Sequence, residues 1–260
     1  MKKIAALFLA LMLTLSLMTA VAEGAGDKQY VLDKGVLVVG ITDFAPMDYR
    51  DDKGEWIGFD ADVARAFAAS LGVKVEFIEI DWDNKILELD AKAVDCIWNG
   101  MTLTDAVLNA MECSNPYMNN AQVVVVPADK AEAYQTVESL AGLTFAVEAG
   151  SAGEAVVTEL GLTCTPVTAQ ADALMEVAAG TSDAAVIDAL MANAMIGEGT
   201  SYANLTYTVG LNSEEYGVGF RKGSDLAAEL NAFLAQYAAD GELAKVAEAY
   251  KVQAALIEQQ

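Results

Sequence analysis

The sequence predicts an α/β protein built from two doubly wound units, and three observations carry that expectation. Short β-rich runs alternate with amphipathic helical stretches along the chain, the pattern of parallel sheets covered by helices. The alternation starts afresh near Gln122. No linker, low-complexity tract or internal repeat separates the two cycles, so the units are expected to touch.

The elements follow in order. Residues 36–42 form a continuous apolar run suited to a buried central strand. Asp51-Asp52-Lys53-Gly54 reads as a turn. Asp60 is placed to cap a helix whose Val63, Ala64, Phe67, Ala68 and Leu71 share one face, with Gly72 as its stop. A strand over 73–80, a helical stretch over 83–91 and a buried strand over 94–98 come next. Thr104 then caps a short helix running to about Met111. After the polar joint Met118-Asn119-Asn120, the second cycle opens on a strand over 122–126, with further strands at 144–147 and 184–187. The helices between them stop near Gly161 and Gly180. Residues 216–221 are strand-like again. Leu226, Leu230, Phe233, Leu234 and Tyr237 give one apolar face to a helix over 225–239, and a last helix covers 242–250.

The first residues read as an export signal. Lys2 and Lys3 precede an apolar run over 4–17, and Ala20-Val21-Ala22 supplies a small-x-small exit for cleavage after Ala22. That run is shorter than the ~20 residues of a membrane span, which weighs against a retained anchor. The mature chain is therefore expected in the periplasm or outside the cell. Without the signal, 13 basic residues face 38 acidic ones, a net charge of −25. Such a surface repels nucleic acid and anionic lipid. About 238 residues are enough for two lobes with separate cores, and a monomer is expected.

Cys96, Cys113 and Cys164 cannot all pair within one chain. Either Cys96 and Cys113 form a disulfide, or all three are small buried hydrophobes. The chain has no histidine, which removes the commonest metal ligand and the commonest general base. No metal, no cofactor and no catalytic residue is expected.

Ligands in doubly wound sheets bind beyond the carboxyl ends of strands. After Thr42, Phe44 offers an apolar face beside Pro46, or is ordinary core. After Trp98, Asn99 and Thr102 offer side-chain hydrogen bonds, while Gly100 lets backbone groups approach a ligand. After Val147, the turn Gly150-Ser151-Ala152-Gly153 opens a helix whose N–H groups suit an oxyanion. After Ile187, Asp188 can pair with an ammonium group or cap a helix.

Taken together, these blocks resemble the polar amino-acid-binding family of bacterial ABC-transporter solute-binding proteins. The matching stretches include Gly58-Phe59-Asp60-Ala61-Asp62, Trp98-Asn99-Gly100-Met101-Thr102, Ser114-Asn115-Pro116-Tyr117 and Asp183-Ala184-Ala185-Val186-Ile187-Asp188, in order, within residues 35–222. The resemblance implies a type II periplasmic-binding-protein-like fold of two lobes joined by a two-segment hinge. The expected division is 1–22 signal, 23–118 and 213–260 first lobe, and 119–212 second lobe, with joints at 118–121 and 212–216. It also implies a small-molecule ligand, an amino acid or amine, and an ABC permease as membrane partner. Phe44 would stack on the solute; Asn99, Gly100 and Thr102 would bind it from the first lobe, and Ser151 and Ala152 from the second. Asp188 would take the α-ammonium group.

One position departs from the family. Where it usually places an arginine to grip the α-carboxylate, this chain has Val107, and Arg50, Arg65 and Arg221 all lie elsewhere. Losing one charged partner in a closed cleft costs about 2–5 kcal/mol. The ligand is then an amine held by Asp188, or an amino acid whose carboxylate rests on the N–H groups around Ser151. Three functions fit: the binding component of an importer, an exported dehydratase-like enzyme using Glu148 with Asp43 or Asp188, and a ligand-sensing module for a receptor.

Overall fold

The computed structural model describes residues 26–259, so the signal segment expected over 1–22 lies outside the described residues. Helix α1 (Asp27–Lys34) ends on Gly35 in the left-handed region and leads into β1 (Val36–Ile41). The hairpin β2 (Tyr49–Arg50) and β3 (Trp56–Ile57) precedes α2 (Phe59–Ser70) and β4 (Lys74–Glu79). A 3-10 turn, Trp82–Asn84, then feeds α3 (Lys85–Asp90). Next come β5 (Cys96–Thr102), α4 (Asp105–Ala110), β6 (Met111–Cys113) and β7 (Met118–Asn120).

The second cycle comprises β8 (Gln122–Pro127), β9 (Thr144–Glu148), α5 (Ala152–Glu159), β10 (Thr163–Val167) and α6 (Gln170–Ala179). It closes with β11 (Ala184–Asp188), α7 (Ala189–Met195) and β12 (Leu205–Gly210). The chain ends on β13 (Glu214–Arg221), α8 (Leu226–Ala239) and α9 (Glu242–Ala249). No helix of the described residues is long and apolar enough to cross a membrane.

These strands form one sheet ordered β4-β1-β5-β13-β6, with β7 also on β13, and a second ordered β10-β9-β11-β8-β12. The chain passes between the sheets twice, from β7 to β8 and from β12 to β13. The sheets are mixed, whereas the sequence predicted parallel ones. β13 runs antiparallel to β5, β6 and β7, and β8 antiparallel to β11 and β12. The strands that reverse are those flanking the two crossings, which enter each sheet from the other lobe.

Two further expectations change, and one open alternative closes. Asp60 does not cap α2, because Gly58 holds that place with φ 132. Asp60 instead points inward, fully buried, and accepts from the Gly100 N–H at 2.6 Å and the Tyr117 hydroxyl at 2.8 Å. The segment read as a loop after Trp98 continues β5, with an irregular register against β13 between Ile97 and Met101 and Gly100 at φ 53. A bulge of this kind re-aims side chains without ending the strand. Cys96 and Cys113 are both free. They stand on opposite sides of β13, facing Phe220 and Gly219. Two strand spacings, about 10 Å, exceed the reach of a disulfide.

Candidate functional site

The carboxyl ends of β1, β5, β9 and β11 face one another across a cavity of about 310 Å³ between the two sheets. Phe44, Asn99, Gly100 and Thr102 line it from the first lobe, and Ser151, Ala152 and Asp188 from the second. These seven residues predicted from strand ends therefore line the same cavity, although they differ in what they can offer.

Phe44 presents its ring edge-on to Tyr216, with centroids 6.4 Å apart. Gly100 makes that packing possible, since a Cβ there would fall 2.3 Å from Phe44 Cε1. Asn99 has no side-chain group to spare. Its Oδ1 accepts from the Thr42 N–H at 3.0 Å and hydroxyl at 2.7 Å, and its Nδ2 donates to Thr42 O and Asp48 Oδ2. The amide fastens the end of β1 to β5, and only its backbone is left for the cavity. The Gly100 N–H is similarly taken by Asp60. Burial raises the Asp60 pKa to about 7, against the lowering effect of these donors.

The Thr102 hydroxyl donates to Glu214 Oε1 at 2.9 Å. That oxygen also receives Asn120 Nδ2 at 2.7 Å and Gln122 Nε2 at 2.8 Å. The same two amides donate to Asp188 Oδ1, and Gln170 Nε2 donates to Asp188 Oδ2. Asp188 and Glu214 are thus tied together through the residues where the chain crosses between sheets. Asp188 occupies the N-cap position of α7, yet its side chain makes no capping bond; Asn120 Oδ1 accepts from the Leu190 N–H instead. Burial, and then the nearby Glu214, push the Asp188 pKa up to about 8.

The turn before α5 offers less to an anion than its sequence suggests. The Gly150 N–H donates to Glu154 Oε2 at 2.7 Å, the Ser151 N–H to the Glu148 carbonyl, and the Glu154 N–H to Ser151 Oγ. The N–H groups of Ala152 and Gly153 remain.

Among the cavity residues unassigned as ligand contacts from the sequence are Trp82, Lys85, Glu148 and Gln170. The strand-end rule, applied to 73–80, reaches Trp82 and Lys85 within five residues of Ile80. Lys85 is 7% exposed and donates to Trp82 O at 3.1 Å and, across the cleft, to Gly150 O at 2.8 Å. Its Nζ lies 4.8 Å from the centroid of the Trp82 ring. Burial lowers its pKa, while Glu148, Asp83 and Glu154 act in the other direction. Glu148 is 3% exposed with Oε1 lacking a hydrogen-bond partner. Burial, then Asp188, push its pKa up to about 8. Val107 borders the same cavity, its N–H held by Thr104 Oγ1 at 3.2 Å.

Comparison with known proteins agrees with this architecture. Residues 37–253 match the family described as bacterial extracellular solute-binding proteins, family 3. The arginine-binding extracellular protein ArtP of Bacillus subtilis is 26% identical over 253 residues, 95% of this chain and 96% of that protein. The crystal structure of an ABC uptake transporter substrate-binding protein from Streptococcus pneumoniae with bound histidine superimposes with a TM-score of 0.79 at 27% identity, covering 87% of this chain and 96% of that one. Cyclohexadienyl dehydratase of Pseudomonas aeruginosa is 28% identical over 127 residues, 48% of this chain and 47% of the enzyme.

Proposed function

We propose that this chain, which belongs to the bacterial extracellular solute-binding proteins of family 3, is the exported capture component of an ABC importer and closes two lobes around an amino acid or amine. The observation that carries the reading is the cavity of about 310 Å³ between the sheets, walled by strand ends from both. Its size suits a small polar solute at the lower end of known ligand pockets. Of the described residues, 26–118 with 213–259 form one lobe and 119–212 the other, and they swing about the joints at 118–121 and 212–216. The transporter and amino-acid relatives support this direction.

Within the cleft, Phe44 and Trp82 supply flat apolar walls. Thr102, Ser151 and the N–H of Ala152 supply polar contacts, and Asp188 receives an ammonium group, which favours its ionised form. Asn99 and Gly100 act by shaping the wall. A second reading, an exported acid catalyst, is favoured by one observation: Glu148 is buried in the cavity with a pKa near 8 and can hold a proton at neutral pH. Its dehydratase relative aligns over only half of this chain, and that weighs toward binding.

A thermal-shift panel of the mature protein against L-arginine, L-histidine, L-cystine, agmatine, histamine and spermidine tests the proposal. A ligand at ~100 times its dissociation constant adds ~2.7 kcal/mol to the folded state. Asp188→Asn should then weaken binding about 30-fold or more by titration calorimetry, because a buried charged hydrogen bond is lost. No shift with any member would refute the ligand class, and equal affinities would remove Asp188 from the site. Turnover of a bound solute would favour the enzyme.

A further inference from the structure

Lys85 is the one cation lining the cavity among the described residues. It enters from α3, on the first lobe, and its position is set by three independent contacts. The ammonium nitrogen lies 4.8 Å from the centroid of the Trp82 ring, one N–H reaches Trp82 O, and a second reaches Gly150 O on the opposite lobe. An ammonium group has three donors, so one remains without a protein partner. Lys85 also forms no ion pair with any described residue. A buried lysine held only by carbonyls is costly unless an anion completes its shell.

The rest of the wall does not supply that anion. Glu148 is close enough to act on Lys85 electrostatically, but it makes no hydrogen bond to it, and its own Oε1 is unpartnered. Glu154 is turned to the Gly150 N–H. Burial pushes both Glu148 and Asp188 toward their neutral forms, which weakens the compensation they offer Lys85. Meanwhile Val107 supplies no charge, and the N–H groups of the turn before α5 are partly spent on Glu148 and Glu154.

We propose that Lys85 is the carboxylate-recognising residue of this cleft, so that its solute bears a carboxylate and is an amino acid, not a simple amine or polyamine. The inference rests on the reading of the cavity as a ligand site and narrows the ligand class within it. The carboxylate takes the third N–H of Lys85, while the solute's ammonium group takes Asp188. Because Lys85 also donates to Gly150 across the cleft, the carboxylate sits where the two lobes meet, and its capture favours the closed form.

The test compares each amino acid with its decarboxylated amine, L-histidine with histamine and L-arginine with agmatine, in the native protein, Lys85→Met and Lys85→Arg, by titration calorimetry. The native protein should prefer the amino acid by about 30-fold or more, the size expected for a charged partner in a closed cleft. Lys85→Met should reduce that preference to within about 3-fold by weakening the amino acid alone, and Lys85→Arg should retain it. Ligand-free unfolding midpoints establish that each variant is folded. If Lys85→Met weakens both members of a pair alike, Lys85 only latches the lobes and the inference is wrong. A native protein that binds the amine as tightly as the amino acid also overturns it. Failure of these four probes and of L-cystine and spermidine to bind the native protein would instead remove the ligand-site reading, and the inference with it. Spermidine binding alone would overturn the inference. L-cystine, if it binds alone, replaces the pairs as the probe that Lys85→Met must weaken and Lys85→Arg must retain.

Discussion

Replacing Glu148 by glutamine isolates the effect of burying an acid in the cleft. Glu148 ends β9, is 3% exposed, and keeps Oε1 unpartnered. Burial and then Asp188 hold its pKa at about 8, against 4.5 for the free side chain, even with Lys85 pulling it down. Between those two values the folded protein retains a proton that the unfolded chain has released. The Glu148 contribution is thus most favourable below about 4.5 and is lost progressively as pH rises through about 8. The loss is about 1.4 kcal/mol per pH unit, the size 2.303RT sets for one proton. A glutamine amide at this position has no such proton to lose. In ligand-free thermal unfolding at pH 5, 6, 7 and 8, the Glu148→Gln midpoint should therefore gain on the native one by roughly 3–5 °C per pH unit for a chain of this length. A constant offset across the series would refute the reasoning. An opposite slope would mean that Glu148 is ionised and paired, with Lys85 the cation acting on it among the described residues.

Two further outcomes follow from particular contacts. Gly58→Ala should destabilise the fold by about 2–4 kcal/mol, because φ is 132 and a Cβ would fall 2.1 Å from the Met47 carbonyl oxygen; urea unfolding measures it, and an unchanged midpoint would show that this turn adjusts freely. Val107→Arg, placed in the Lys85→Met protein, should restore preference for L-histidine over histamine by about 10-fold, since a guanidinium at the cavity wall can meet a carboxylate bidentately. Calorimetry reads the ratio, and no recovery would mean that the introduced side chain turns away from the solute.

The periodic part of the fold was legible. The helix after Thr104 begins on the predicted cap, with the Thr104 hydroxyl accepting from Val107, and Gly180 ends α6 in the left-handed region. The strand-end residues gather at one cavity because a doubly wound sheet leaves its loops nowhere else to meet. Two edge strands of the second sheet were missed. β10 carries Pro166 among polar residues, whereas β12 has the alternation Leu205, Tyr207, Val209, which was available as a signal. What the sequence hid was pairing over long separations. Asn99 looked like a donor for a solute, but its amide is consumed by Thr42 and Asp48, more than fifty residues away in the chain. Lys85 was not singled out within the helical stretch over 83–91, and its approach to Gly150, 65 residues on, makes it a cleft residue.

β13 also imposes an order on assembly. The second sheet draws its strands from one continuous stretch, Gln122 to Gly210, so its pairings are close in sequence. The first sheet has a vacancy in its middle until Glu214–Arg221 arrives, since β5 and β6 share no pairing except through that strand. Closing it means joining Cys96 to Phe220 across the whole intervening lobe, and such distant closures are slow. During synthesis the early strands would wait with an unsatisfied β5 edge while the later lobe can already condense. An open edge of that kind is where unwanted strands add, so the vulnerable interval in making this molecule lies between the completion of β12 and the docking of β13.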